Sequence, residues 1–160
     1  MQRNIFAAGF VIFILGLFLV LAFWPIFATS AGTLYEDRSG LVYQSYDRGD
    51  KVTTHGTITN ISTTGFPGWM EDMGFRNVVY VEVDDGFAFL IPDRTEIKFS
   101  EGDQIYARLT LVEESLVLGW GRIQYWELSG TMGNKQMVNL VFFITLALGA
   151  VITVAGAVKD

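Results

Sequence analysis

From about Gly49 to Leu128 the chain alternates apolar and polar positions. Val79, Val81 and Val83 form one set, Phe87, Phe89 and Ile91 another, and Ile105, Ala107, Leu109 and Leu111 a third. A period of two is the mark of half-buried strands. It predicts strands over Lys51–Ile61, Asn77–Asp84, Phe87–Ile91, Gln104–Glu113 and Gly119–Leu128, with a short extra one over Leu41–Gln44. Asp85-Gly86 between two of these runs reads as a two-residue hairpin turn. Gly49-Asp50 and Gly102-Asp103 carry turn chemistry just before a strand, and Gly56 inside the first long strand marks a bulge or bend.

On either side the alternation gives way to unbroken apolar runs. Residues 5–29 begin as IFAAGFVIFILGLFLVLAFWPIFA, free of charge, and about 24 helical residues rise roughly 36 Å, enough for a hydrocarbon core of about 30 Å. Trp24 suits the membrane interface and Pro25 a bend or end there. Ala28-Thr29-Ser30 offers small residues for signal cleavage, but the run exceeds a usual signal core, so an uncleaved anchor is expected. Residues 137–158 form a second uncharged run, in which Thr145, Gly149, Thr153 and Ala157 recur every four residues as a small-residue stripe. Such stripes let membrane helices approach closely, here the chain's own first helix or another subunit. Asn139 near the start of this run is expected to cap or snorkel. Arg3 in residues 1–4 and Lys159 beyond the second run place both termini in the cytoplasm and the middle domain outside. On that side Asn60-Ile61-Ser62 is an N-glycosylation pattern.

The expected organisation is thus a membrane protein with two transmembrane helices flanking an all-β domain. Residues 30–48 and 129–136 serve as linkers and residues 49–128 as the folded unit. Five strands, a glycine-bent first strand, a long loop after it and a hairpin between strands two and three resemble the OB-fold, which implies a five-stranded OB-like barrel. Anchor plus barrel is also similar to a haem-chaperone family of cytochrome maturation. That family's haem-binding C-terminal His has no counterpart here, and no haem site is carried over.

Composition narrows the chemistry. The chain has no cysteine and one histidine, which excludes disulfides, thiolate metal sites and multi-histidine sites within one chain. Residues 30–134 hold 16 Asp and Glu against 8 Lys and Arg. That acidic excess suits a solvated surface and argues against nucleic acid. His55 alone reads as a hydrogen-bonded or surface residue. Asp47, Asp50, Asp84 and Asp85 fall in turns, and turn duty explains them more simply than paired catalysis. Loop oxygens of this kind can bind Ca²⁺, but the EF-hand spacing is missing. P-loop, GxSxG and HExxH motifs are also missing. No catalytic, cofactor or metal site is read from the chain.

Contact surfaces remain. Phe66, Trp69, Met70, Met73 and Phe75 crowd the loop GFPGWMEDMGF, where large apolar side chains are costly unless covered. They plug the barrel end, dip into the outer leaflet or anchor a protein partner. Trp120, Tyr125 and Trp126 form a second aromatic set, either packed on the linker or presented as a ligand face. The function expected is a non-catalytic accessory or assembly subunit of a larger membrane complex, in the bilayer with other subunits or as a homo-oligomer. The alternative is a membrane-anchored module binding a small molecule, glycan or metal, with an OB domain binding nucleic acid as a third reading.

Overall fold

The computed structural model describes residues 2–23, 28–63, 78–84, 86–92, 98–115 and 121–157, with the backbone alone for residues 2, 3, 19–23, 131 and 157. Helix α1 spans Gln2–Phe23. A short segment then contributes β1 (Thr29–Ser30), α2 (Ala31–Glu36), β2 (Arg38–Ser39) and β3 (Val42–Tyr43). The long strands are β4 (Lys51–Ser62), β5 (Val79–Val83), β6 (Phe87–Ile91), β7 (Gln104–Ser115) and β8 (Arg122–Asn134), and helix α3 follows over Lys135–Ala157.

The main sheet has six strands in the order β1-β4-β5-β6-β8-β7, with a further β4–β7 pairing, and β2 and β3 form a separate two-stranded sheet. β4 serves two neighbours. Its residues 51–57 pair with β7, and its residues from Ile58 onward pair with β5. The change of partner follows Gly56, where an added Cβ would run into the Val83 side chain and the Asp84 carboxylate. Asp84 fastens this bend. Its N–H donates to the Thr57 carbonyl at 2.9 Å, and its Oδ1 accepts from the Thr57 N–H at 2.9 Å. The β5–β6 turn is not the expected two-residue one. Val83 pairs with Phe87, which leaves three residues between, and Asp84 takes a φ of 49°.

Two strands open on the same device. Gly49 and Gly102 have φ of 91° and 90°, a conformation that glycine enters without steric cost. The aspartate after each returns its carboxylate to the turn's first N–H, Asp50 to Asp47 at 2.8 Å and Asp103 to Ser100 at 2.9 Å. Each glycine N–H crosses to a partner strand, at Leu111 and Ile58 respectively.

The alternating residues of β5, β6 and β7 fill the core. Val81, Val83, Ala107 and Leu109 are fully buried, with Phe87, Phe89, Ile105 and Leu111 beside them. Ala31 and Leu34 of α2 close it, because the Ser30 hydroxyl caps the helix by accepting from Thr33 N–H at 3.2 Å.

This architecture corrects the expected one. An OB-like five-stranded barrel anchored by two transmembrane helices does not describe it. The main sheet gains a sixth strand from residues 30–48 and their approach, where β1 lies parallel to β4 and Thr54 Oγ1 donates to the Thr29 carbonyl at 3.0 Å. Among the described residues a single helix, over Lys135–Gly156, is long and apolar enough to cross a membrane, and the apolar part of α1 runs only over Asn4–Phe18. The resemblance rested on strand count, the glycine bend, the long loop and the hairpin, and such a pattern reports strands and their local turns, not the sheet each strand joins. Residues 129–136 are likewise no linker. β8 continues to Asn134, paired with β7, and α3 begins at the next residue.

Candidate functional site

Three places bring side chains together for reasons other than filling the core. The first is the seam between α1 and α3. The two helices lie antiparallel, with Phe6 facing Gly156, Gly9 facing Thr153, Phe13 facing Gly149 and Gly16 facing Leu146. Facing positions therefore step by three and four residues on both helices, the repeat of a left-handed helix pair. A Cβ added at Gly9 would stand 2.7 Å from Thr153 N. Thr145 and Thr153 turn their hydroxyls back to the Val141 and Gly149 carbonyls at 2.6 and 2.7 Å, so neither offers a free polar group to the seam. Of the stripe read from sequence, Thr145, Gly149 and Thr153 lie at this contact, and the side chain of Ala157 lies outside the described residues. Gly9, Gly16 and Gly156 were not singled out by that reading; the seven-residue spacing of Gly9 from Gly16 and of Gly149 from Gly156 was the available signal.

The second place is the joint where sheet meets α3. Asn134 ends β8 and caps the helix, its Oδ1 accepting from Met137 N–H at 3.1 Å. One residue on, Lys135 Nζ donates to His55 Nδ1 at 3.2 Å. The His55 ring stands edge-on to Tyr106, with centroids 6.0 Å apart, and the Tyr106 phenol donates to Asn139 Oδ1 at 3.0 Å. Burial first and the Lys135 charge second hold the His55 pKa below its usual value, with Asp84 opposing them. His55 is thus hydrogen-bonded, and Asn139 takes a phenol from the sheet.

The third place is a cleft where β6 and β8 part. Those strands share two pairs, Phe89 with Trp126 and Leu90 with Glu127. Beside the split, Gln124 N–H turns to the Leu41 carbonyl at 2.8 Å, which lays the β2–β3 hairpin along β8. Gln124 Oε1 accepts from Tyr43 N–H at 2.7 Å, and its Nε2 donates to Glu113 at 2.9 Å. The cleft left between has a volume of about 130 Å³, and Arg38, Tyr43, Tyr80, Ala88, Gln124 and Trp126 are among its walls. Burial raises the Tyr43 phenol to about 12, with Arg38 pulling the other way. Burial also raises Tyr80, with Glu82 adding and Arg38 opposing.

Tyr125 and Trp126 do not share a face, because neighbouring residues on a strand point to opposite sides. Trp126 is fully buried and takes the edges of Tyr43 and Tyr46 at centroid distances of 5.5 and 5.3 Å. Tyr125 lies on the other face, buried beside Leu90 in a second apolar cluster, and donates to Glu114 at 2.8 Å. Trp120 lies outside the described residues, as do Phe66, Trp69, Met70, Met73 and Phe75. Among the described residues no group of three or more His, Asp or Glu is gathered to hold a metal ion. Compared with known protein families and with curated proteins, the chain matches none.

Proposed function

We propose that the protein is a non-catalytic accessory or assembly subunit of a membrane complex. In this reading α3 crosses the bilayer with α1 packed along it, both termini lie in the cytoplasm, and the β-domain works outside through protein contacts. The observation that carries it is the outer surface of the helix pair. Phe10, Phe18, Phe143, Val151 and Val154 turn away from the seam and stay more than half exposed, with Phe18 at 63% and Val151 at 65%. So much contiguous apolar surface requires cover by lipid tails or by another apolar helix. The direct passage from β8 into α3, tightened by Lys135–His55 and Tyr106–Asn139, supports a domain held at a fixed attitude above the anchor. A fixed attitude suits a part that presents a surface to neighbours.

The experiment is purification of the tagged protein from its own membranes in mild detergent, after an alkaline carbonate wash. Retention in the pellet and stoichiometric protein companions are the expected result. Release by carbonate removes the anchor, and a companion-free monomer removes the subunit role.

A further inference from the structure

We propose that His55 and Lys135 form an acid-released clasp between the β-domain and helix α3. It goes beyond the subunit reading and depends only on the passage of β8 into α3. The protons at this contact can be arranged in one way. Lys135 Nζ stands 3.2 Å from His55 Nδ1. A lysine ammonium has three protons to donate and no lone pair to accept with. His55 Nδ1 is therefore the acceptor, which makes the imidazole neutral with its proton on Nε2. An imidazolium carries a proton on both nitrogens. Protonation thus turns the acceptor into a donor and sets two cations against each other, and the hydrogen bond is lost.

The placement of charges decides which way a protonated ring is driven. Lys135 is the first residue of α3 and belongs to the anchor. Asp84 belongs to the sheet, just after β5, where its Oδ1 accepts from the Thr57 N–H. Its Oδ2 lies over Gly56, the residue after His55, and has no hydrogen-bond partner among the described residues. The other elements around the ring bring no opposing charge. Tyr106 of β7 stands edge-on to it and gives its phenol proton to Asn139. Ser30 of β1 is its register partner, and on β4 itself the one charged residue is Lys51, at the start of the strand. Repulsion from Lys135 and attraction to Asp84 therefore act in the same sense, off the helix and toward the sheet. Burial and the Lys135 charge hold the neutral ring in place at neutral pH against Asp84, so release comes below the ordinary 6.5. Beyond the Asn134 cap, the side-chain hydrogen bond then left between sheet and α3 among the described residues is Tyr106 to Asn139. One such bond fixes an attitude less firmly than two.

The test uses the full-length protein in detergent with a histidine-free tag, so that His55 is the one imidazole present. Its ring nitrogen NMR shifts are expected to show Nε2 protonated and Nδ1 bare at about pH 7.5, and both protonated near about pH 5. The chain has no cysteine, so spin labels can be placed at Arg48→Cys on the β-domain and Phe143→Cys on α3, both exposed positions. The spread of distances between them is expected to broaden about twofold over the same pH range, as further attitudes of the domain become populated. His55→Gln keeps an acceptor for Lys135 and cannot titrate, so its spread should stay narrow at both pH values. Lys135→Met should be broad at both, and if that variant does not fold the His55→Gln arm still decides. The clasp is overturned if Nδ1 carries the proton at neutral pH, if the wild-type spread is the same at both pH values, or if His55→Gln broadens as wild type does.

Discussion

Gly149 of α3 lies so close to Phe13 of α1 that a Cβ added to it would stand 2.7 Å from the Phe13 nitrogen and 2.8 Å from its Cα. The contact is with backbone, which cannot swing aside as a side chain can. Gly9 stands against the Thr153 backbone in the same way at the next contact along the seam. Glycine is thus required at both positions by distance, not by conformation. Gly149→Val and Gly9→Val are each expected to destabilise the helix pair by about 1–3 kcal/mol, the usual cost of forcing volume into packed contact. Thermal unfolding in detergent, followed by helical circular dichroism, measures it. A control at Phe10, which is 52% exposed, should show little change on Phe10→Leu. Equal losses at all three positions would argue against the seam.

The antiparallel register can be tested by chemistry the chain does not possess. It contains no cysteine, so an engineered pair has no competitor. A Cβ at Gly156 would lie 3.3 Å from Phe6 Cβ, near the roughly 3.8 Å separation of a disulfide. The double variant Phe6→Cys with Gly156→Cys is expected to close within one chain on mild oxidation. Phe10→Cys with Gly156→Cys is not, since Phe10 faces outward. Gel mobility after cleavage between the helices separates the outcomes, and dimers in place of closed monomers would put the contact between two chains.

Gly56, Thr57 and Asp84 form a bend in which each residue type has its own reason. Gly56 leaves room for Val83 and the Asp84 carboxylate, and Asp84 holds both backbone groups of Thr57 from a φ of 49°. Asn tolerates that conformation and keeps a carbonyl acceptor, whereas Ala does neither. Asp84→Asn should therefore be nearly neutral, and Asp84→Ala should cost about 1–2 kcal/mol from the lost hydrogen bond and the strain. Chemical denaturation at neutral pH distinguishes them. Identical losses would mean that the charge, not the acceptor, holds the bend.

What the sequence revealed and what it hid divide along physical lines. The runs Val79–Val83, Phe87–Ile91 and Ile105–Leu111 were legible because a strand with one buried face writes a period of two into the chain. β1 and β2 were not, since two residues each are too few to show a period, whereas β3 falls inside the short strand expected over Leu41–Gln44. β8 runs past Leu128, the expected end of its strand, to Asn134. The ladder slips at Ser129 and Gly130, between the Leu109–Leu128 and Ala107–Met132 pairs, and resumes through Gly133, which pairs with Tyr106; at Gly130 a Cβ would meet the Arg108 stem at 3.4 Å. The small-residue stripe was read at steps of four, yet the helices meet at steps of three and four, so Gly156 faces Phe6. The cleft was invisible. Arg38, Tyr80 and Trp126 lie on three separate elements, and only the split between β6 and β8 brings them to one place.

The joint at His55 predicts a pH dependence with a definite sign. Facing the ring are Lys135 from α3, Asp84 from the β5–β6 turn and Tyr106 from β7. Burial and Lys135 lower its pKa below the ordinary 6.5. The unfolded chain therefore binds more protons than the folded one just below that value, and stability must fall as pH falls. Loss begins near pH 6.5 and levels off once the folded pKa is passed. Glu127 works in the opposite sense. Burial and Glu114 raise it, so above its ordinary 4.5 it favours the folded chain as pH falls. Asp37 is lowered from 3.8, chiefly by Ser45, and its contribution is lost only below that pH. Comparison with His55→Gln removes both background effects. Denaturation between about pH 7.5 and 5.5 is expected to show wild type losing stability relative to His55→Gln. Lys135→Met should soften the loss, because without the neighbouring ammonium the imidazole charges more readily inside the fold. A wild type that follows the His55→Gln curve throughout would mean that this contact carries no proton-linked energy.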